Sequence, residues 1–164
     1  MKREMKEMTR FLVGNVTLQY VTRNTAANRP VGADSDTLAR VAEAAYFEQG
    51  CMIDYCEYVF VILMSRNGKV LGAVKVGEGS TDSCVADIKK IMAAAILSGA
   101  SNIALAHNHP QSGARPSRAD RQLTCSVQNA CSIFGVRLLD HIILADYADD
   151  GHHRYYSMKD NGDI

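Results

Sequence analysis

The sequence predicts an α/β fold in which helices cover both faces of a mixed β-sheet. Helical and strand-like segments follow one another in the order helix, two strands, helix, strand, helix and two strands, which is typical of layered α/β domains. An Asn-Gly pair separates the first two strand-like segments and indicates a hairpin. Because 47% of the 164 residues are apolar, the chain can bury one hydrophobic core.

Residues 1–50 are expected to flank the main domain. They contain a short strand-like stretch over 17–21, a polar segment over 23–32 that indicates a linker or arm, and a helix that ends at Gly50. The helix follows the potential capping residues 34–36, and its apolar residues recur at helical spacing.

Residues 51–164 are expected to form the main domain, which begins with an antiparallel hairpin. Residues 58–64 and 70–76 are rich in residues that favour β-strands, and Asn67-Gly68 between them predicts a two-residue type I′ turn. The remaining predicted elements are, in order, a buried helix over 86–98, a core strand over 102–106, a helix between Ser117 and Gly135, and strands over 136–144 and 154–157.

Charge and cysteine content exclude several classes of protein. Eighteen basic and eighteen acidic residues cancel, so the chain lacks the strong positive field that favours nonspecific binding to nucleic acid or anionic membranes. The apolar run near the start is interrupted at Gly14 and is too short for a signal peptide or a membrane span. Five cysteines without a C-x-x-C pair indicate reduced thiols rather than disulfides or a cysteine-ligated zinc. We expect a cytoplasmic protein with weak or no direct binding to duplex DNA.

Two histidines separated by one residue form the first part of a candidate metal site. In an extended chain the side chains of His107 and His109 point to the same side, so both imidazoles can bind one cation at roughly 2.0–2.1 Å. Asn108 then points to the opposite side, where we expect it to bond to the backbone. The H-x-H pattern alone also fits a surface loop with two polar rings.

A carboxylate eleven positions beyond the second histidine is the candidate third ligand. Asp120 follows Ser117 in an S-x-x-D pattern, which also predicts a capping box at the start of a helix. The two interpretations are compatible, because a capped first turn is a rigid support for a ligand. Two histidines and one carboxylate leave the fourth tetrahedral position of zinc to water, whose pKa can fall to about 7 when bound.

These residues resemble the JAMM signature of the JAB/MPN metalloprotease superfamily. The shared pattern is H-x-H-P followed by S-x-x-D at this separation, with a glutamate well upstream. The segments GASNIALAHNHPQSGARPSRAD and FGVRLLDHIIL further resemble the JAB-type domain of the RadC family, over roughly residues 52–158. The resemblance implies a cytidine-deaminase-like three-layer α/β/α sandwich, one zinc ion per chain, and hydrolysis of an amide, peptide or isopeptide bond in an unknown protein, peptide or small amide.

The resemblance also assigns catalytic roles outside the ligand set. Glu57 matches the upstream glutamate that takes a proton from the zinc-bound water and returns it to the leaving amine, although Glu78 in VGEGS is a rival nearer to the motif in sequence. Ser117 matches the serine that stabilises the oxyanion of a tetrahedral intermediate.

Two departures from the RadC pattern leave another class of function open. The first fifty residues are too short and polar for the helix-hairpin-helix region of longer members, and the loop over 111–116 differs in chemistry from the usual one. The alternative is a noncatalytic metal-binding or partner-binding module in a DNA-associated complex, in keeping with the family's historical DNA-repair label. A zinc deaminase is disfavoured, because neither H-x-E nor P-C-x-x-C is present.

Three further histidines have simpler interpretations. His141 lies in a predicted apolar strand, where a hydrogen-bonded core histidine is more common than a residue that orients a site. His152 and His153 stand beside acidic residues and a glycine, which favours an exposed turn over a second metal site.

Overall fold

The computed structural model describes Tyr20 and residues 25–79, 86–110, 112–145 and 155–164. Apart from Tyr20, the strand predicted over 17–21 lies outside the described residues, as do His152 and His153. The predicted linker contains a short 3-10 helix, Ala26–Asn28, in its described part.

The described residues form three α-helices and five strands in the predicted order. The helices are α1 (Ser35–Glu48), α2 (Ile88–Ser98) and α3 (Arg118–Phe134), and the strands are β1 (Tyr58–Met64), β2 (Val70–Glu78), β3 (Asn102–His109), β4 (Arg137–Ala145) and β5 (Tyr155–Ser157). The largest difference from prediction is in β3, which continues three residues beyond the expected end and includes both histidines of the motif.

Side-chain caps and glycines explain where the helices begin and end. Asp34 and Ser117 accept hydrogen bonds from backbone amides in the first turns of α1 and α3. Gly99 and Gly135 adopt the left-handed conformation directly after α2 and α3, with φ of 65° and 66°. The predicted ends of these helices therefore have local causes that are visible in the sequence.

The five strands form one mixed sheet in the order β2-β1-β3-β4-β5. β1 pairs antiparallel with β2 and β3, β3 pairs parallel with β4, and β4 pairs antiparallel with β5. Parallel neighbours need a crossover connection, and α3 provides it between β3 and β4. The first turn of α3 thus follows closely on the end of β3.

Hydrophobic residues fill both sides of the sheet and confirm the predicted three-layer α/β/α sandwich. One core cluster joins α1 to the face that carries Phe60 and Ile62 of β1. The other joins α2 and α3 to the opposite face, which carries Val59 and Val61. The predicted flanking segment therefore includes a helix, α1, that packs on the sheet. None of the helices in the described ranges is long and apolar enough to cross a membrane.

The hairpin between β1 and β2 is confirmed, but its predicted two-residue type I′ turn is wrong. The amide of Gly68 donates to the carbonyl of Ser65 at 3.0 Å, so Arg66 and Asn67 are the central residues of the turn. Gly68 follows with φ of 74°. The loop is one residue longer than predicted, because the glycine occupies the left-handed position after the turn rather than within it.

Candidate metal centre

The predicted ligands come together because β3 ends beside the start of α3. Residues two apart on a strand point to the same side, so His107 and His109 lie on one face of β3. This face packs against α2 and α3, because His107 pairs with Val59, which belongs to the core cluster on that side. After a short loop, the first turn of α3 returns Asp120 to the same place. Glu57 immediately precedes β1, the antiparallel neighbour of β3.

Four side chains of the described residues each bring one ligand-type atom within 4.8 Å of the others: Glu57, His107, His109 and Asp120. The Nε2 atoms of His107 and His109 are 2.9 Å apart. Asp120 Oδ1 lies 3.1 Å from His107 Nε2, and Asp120 Oδ2 lies 3.4 Å from His109 Nε2. Ligands about 2.0–2.1 Å from a tetrahedral zinc are roughly 3.3 Å apart, so the two imidazoles and the carboxylate fit the ion.

The backbone around His109 leaves its Nε2 atom available to a metal. His109 Nδ1 lies 3.0 Å from the carbonyl oxygen of Gly113, which can only accept a hydrogen bond. Nδ1 therefore carries a proton, so in the neutral imidazole that metal binding requires, Nε2 is the nitrogen that offers a lone pair. His107 is 1% exposed, and its Nδ1 lies 2.7 Å from His141 Nε2.

Asp120 caps α3 and faces the histidines at the same time, so its two sequence interpretations both describe the structure. Its Oδ2 accepts from the amide of Ser117 at 2.6 Å, and its own amide donates to Ser117 Oγ at 3.2 Å. This reciprocal pair is the predicted capping box. It fixes the carboxylate, and Oδ1 remains directed at His107.

The cluster is electrostatically arranged around an ionised Asp120. Burial opposes the charged form of this carboxylate, but its hydrogen bonds with both histidines and with Ser117 outweigh burial and hold its pKa well below the usual range. Partial burial raises the pKa of Glu57, against the attraction of the two histidines. The pKa values of these two neighbouring carboxyl groups are thus shifted in opposite directions. The shift favours the anionic form of Asp120 and makes Glu57 the better proton acceptor of the two.

The two candidate bases lie in different environments. Glu57 is half-buried and belongs to the four-residue cluster. Glu78 is the partner of Tyr58 in the β1–β2 register, and its carboxylate pairs with Lys75 at 2.6 Å, with 55% of its side chain exposed. Of these two glutamates, Glu57 is the one that lies among the candidate metal ligands.

Ser117 lies exposed at the edge of the cluster. Its oxygen accepts the capping hydrogen bond from Asp120, and this bond does not use the hydroxyl hydrogen. The hydroxyl hydrogen is therefore still available to another acceptor.

Asn108 and His141 have larger structural roles than their sequence context indicates. Asn108 is fully buried on the α1 side, and its amide bonds to the segment that carries Glu57: it accepts from Tyr58 N at 2.8 Å and donates to Ile53 O and Cys56 O at 2.6 and 2.8 Å. Its predicted direction and backbone bonding are confirmed. His141 is a buried histidine, as expected, but it contacts a candidate ligand. The separation of 34 residues gave no local signal for this contact.

A family comparison agrees with the fold and with the cluster. The model of the RadC-like JAB domain matches residues 34–163, which include α1, the whole sheet and all four clustered residues. The chain belongs to the RadC-like JAB domain family. The resemblance found over residues 52–158 is therefore confirmed, and the match also takes in α1.

Bacterial relatives of this RadC-like JAB domain carry the name UPF0758 protein. The chain is 41% identical over 106 residues to one from Porphyromonas gingivalis and 33% identical over 106 residues to one from Rubrobacter xylanophilus. It is 34% identical over 101 residues to one from Coprothermobacter proteolyticus. The longer matches cover 65% of this chain and 44% of each relative, so the matched region spans less than half the length of these curated relatives. The names state no activity.

Proposed function

We propose that this RadC-like JAB domain is a zinc-dependent hydrolase that cleaves an amide, peptide or isopeptide bond. The proposal rests above all on one observation: two imidazole nitrogens and an anionic carboxylate converge on a single point, with a second carboxyl group beside them. Three protein ligands from this set leave a fourth position of zinc open, which is the pattern of catalytic rather than structural sites. The JAMM-like spacing of the same residues supports the same chemistry.

The residues of the cluster divide into ligands and groups that handle protons. His107, His109 and Asp120 hold one zinc ion, which supplies a Lewis acid for a carbonyl group and lowers the pKa of a water molecule to about 7. Glu57 takes the proton of the attacking water and returns it to the leaving amine, and its raised pKa suits this exchange. The hydroxyl of Ser117 donates to the oxyanion of the substrate.

The first test is whether metal and hydrolysis occur together. Elemental analysis of the purified protein is expected to find about one zinc per chain. A screen of amide, peptide and isopeptide substrates is expected to reveal turnover that a chelator removes and that added zinc restores. Zinc binding without turnover of any substrate would favour the alternative, a noncatalytic metal-binding module that recognises a partner.

Glu57→Gln separates a proton acceptor from a fourth metal ligand. The amide keeps the size of the side chain but accepts no proton, and positioned general-base catalysis contributes about 10²–10⁴ in rate. Hydrolysis should fall by that factor while zinc content is retained. Glu78→Gln is the matched control and should leave both unchanged. Loss of zinc in Glu57→Gln would show that Glu57 is a fourth metal ligand, which leaves no position for water. Loss of activity only in Glu78→Gln would show that Glu78, rather than Glu57, is the base.

A further inference from the structure

A ring of hydrogen bonds connects two of the metal ligands behind the site. His107 Nδ1 lies 2.7 Å from His141 Nε2, and His141 Nδ1 lies 2.7 Å from Thr124 Oγ1. Thr124 in turn donates to the backbone carbonyl of Asp120 at 2.6 Å. The connection therefore begins at a ligand on β3, passes through β4 and α3, and ends on the residue that supplies the carboxylate ligand.

The backbone carbonyl of Asp120 fixes the direction of every hydrogen bond in this ring. The Asp120 carbonyl oxygen can only accept and lies at 2.6 Å, so the single hydroxyl hydrogen of Thr124 is used on it rather than on Met158 Sδ, which is 3.4 Å away and a weak acceptor. The Thr124 oxygen must then accept from His141 Nδ1, which places the proton of His141 on that nitrogen. Nε2 of the neutral ring is left with a lone pair, and it accepts from His107 Nδ1.

We infer that His141 and Thr124 are positioning residues that hold His107 in the one tautomer able to bind the metal. In the neutral imidazole that metal binding requires, a proton on Nδ1 leaves Nε2 of His107 unprotonated and able to coordinate beside Asp120. Without the acceptor on His141, the proton of neutral His107 can move to Nε2, where Asp120 Oδ1 accepts it, and that tautomer cannot coordinate. This inference rests on the proposed function, because it requires that the cluster binds a metal ion.

The surroundings of the ring favour a positioning role over simple packing. His141 is 0% exposed, Thr124 is 3% exposed, and both nitrogens of His141 have a partner. A core position filled only for volume would be satisfied by an apolar side chain, which avoids burying two polar nitrogens. Hydrogen bonds from metal-bound histidines to buried partners commonly fix the ring and its tautomer.

Two substitutions at His141 test the ring by the reach of their amide groups. The Gln amide reaches about as far as the imidazole Nε2, so the side-chain oxygen of His141→Gln can accept from His107. The shorter amide of His141→Asn reaches only the Nδ1 position near Thr124 and leaves His107 without an acceptor. Zinc affinity should stay within about tenfold of wild type in His141→Gln and fall about 10–100-fold in His141→Asn.

Substitutions at Thr124 test the far side of the ring without touching a histidine. Thr124→Val keeps the shape of the side chain but cannot accept from His141, whose proton then moves to Nε2 and opposes the donor on His107. Thr124→Ser retains the hydroxyl. We expect zinc affinity to fall about 10–100-fold in Thr124→Val and to recover in Thr124→Ser.

The affinities are measured by competition between metal-free protein and a chromophoric chelator for Zn²⁺, with the unfolding of each metal-free variant as the control for folding. If His141→Asn and Thr124→Val keep the zinc affinity of the wild type, the positioning role of His141 and Thr124 is overturned while the ligand set stands. Equal losses in all four variants would also overturn it, because His141→Gln keeps the acceptor for His107 and Thr124→Ser keeps the hydroxyl. Absence of zinc binding in the wild type would overturn both the metal site and the positioning role of His141 and Thr124.

Discussion

Replacing Asn108 tests how the segment that carries Glu57 is held in place without changing any of the candidate metal ligands. Asn108→Asp changes one NH₂ group into an oxygen and keeps the shape of the side chain. The NH₂ group donates to Ile53 O and Cys56 O, at 2.6 and 2.8 Å. The substitution therefore places a carboxylate against two carbonyl oxygens in a fully buried position.

The expected loss of stability follows from the two carbonyl groups that lose their donor. A buried polar group without a partner costs about 1–3 kcal/mol. The Ile53 carbonyl is only part-buried and belongs near the lower end, so the two groups together cost about 2–4 kcal/mol, a lower limit to which burial of the new carboxylate adds. For a chain of this size, the loss from the two carbonyls alone lowers the melting temperature by roughly 4–16 °C.

The assay is chemical and thermal unfolding of metal-free protein, with Asn129→Asp as the matched control. Asn129 lies on the exposed side of α3, so the same chemical change there should stay within about 0.5 kcal/mol of wild type. Unfolding free energies that are equal for Asn108→Asp and Asn129→Asp would refute the argument that the Asn108 amide holds the 53–58 segment.

Three further predictions concern ligands and partners. Asp120→Asn should sharply lower zinc content while α3 stays folded, because the Asn oxygen can still accept from Ser117 N; zinc content equal to wild type would leave Asp120 as a cap only. Ser117→Gly should slow hydrolysis by about 10²–10³ and retain zinc, since the backbone amide that holds Asp120 is unchanged and glycine is an acceptable cap; loss of zinc would show that the hydroxyl acts through Asp120 instead. Duplex DNA should bind weakly and with a shallow salt dependence, because the net charge is zero; nanomolar affinity at physiological salt would favour the partner-binding alternative.

Local patterns predicted most of the fold and the inner part of the site. The bounds of β1 match the prediction, because a continuous run of β-forming residues ends at a turn signal. The caps at Ser117 and Gly135 mark the limits of α3 because each satisfies backbone groups of the helix itself. The clustering of His107, His109 and Asp120 could be predicted for the same reason, because it depends on strand alternation and on one short loop.

The contacts that the sequence did not predict join residues far apart in the chain. Tertiary pairing of β3 with β4 brings His141 to His107, and neither residue carries a local mark of the other. The turn at Gly68 was misplaced by one residue, because the same Asn-Gly pair is compatible with a left-handed glycine inside or just after a turn.

The register of β3 links the metal ligands to the proposed base. Alternation sends His107 and His109 toward α3, and it sends Asn108 through to the α1 side, where its amide holds the backbone on both sides of Glu57. A shift of one residue in β3 would exchange these faces, so that the ligands and the support of Glu57 would be lost together. Asn108 lies between the two histidines in β3 and bonds to the residues on either side of Glu57. These bonds fix the distance between Glu57 and the histidines. For this reason Asn108→Asp should reduce hydrolysis more than it reduces zinc affinity, whereas Asp120→Asn should reduce both.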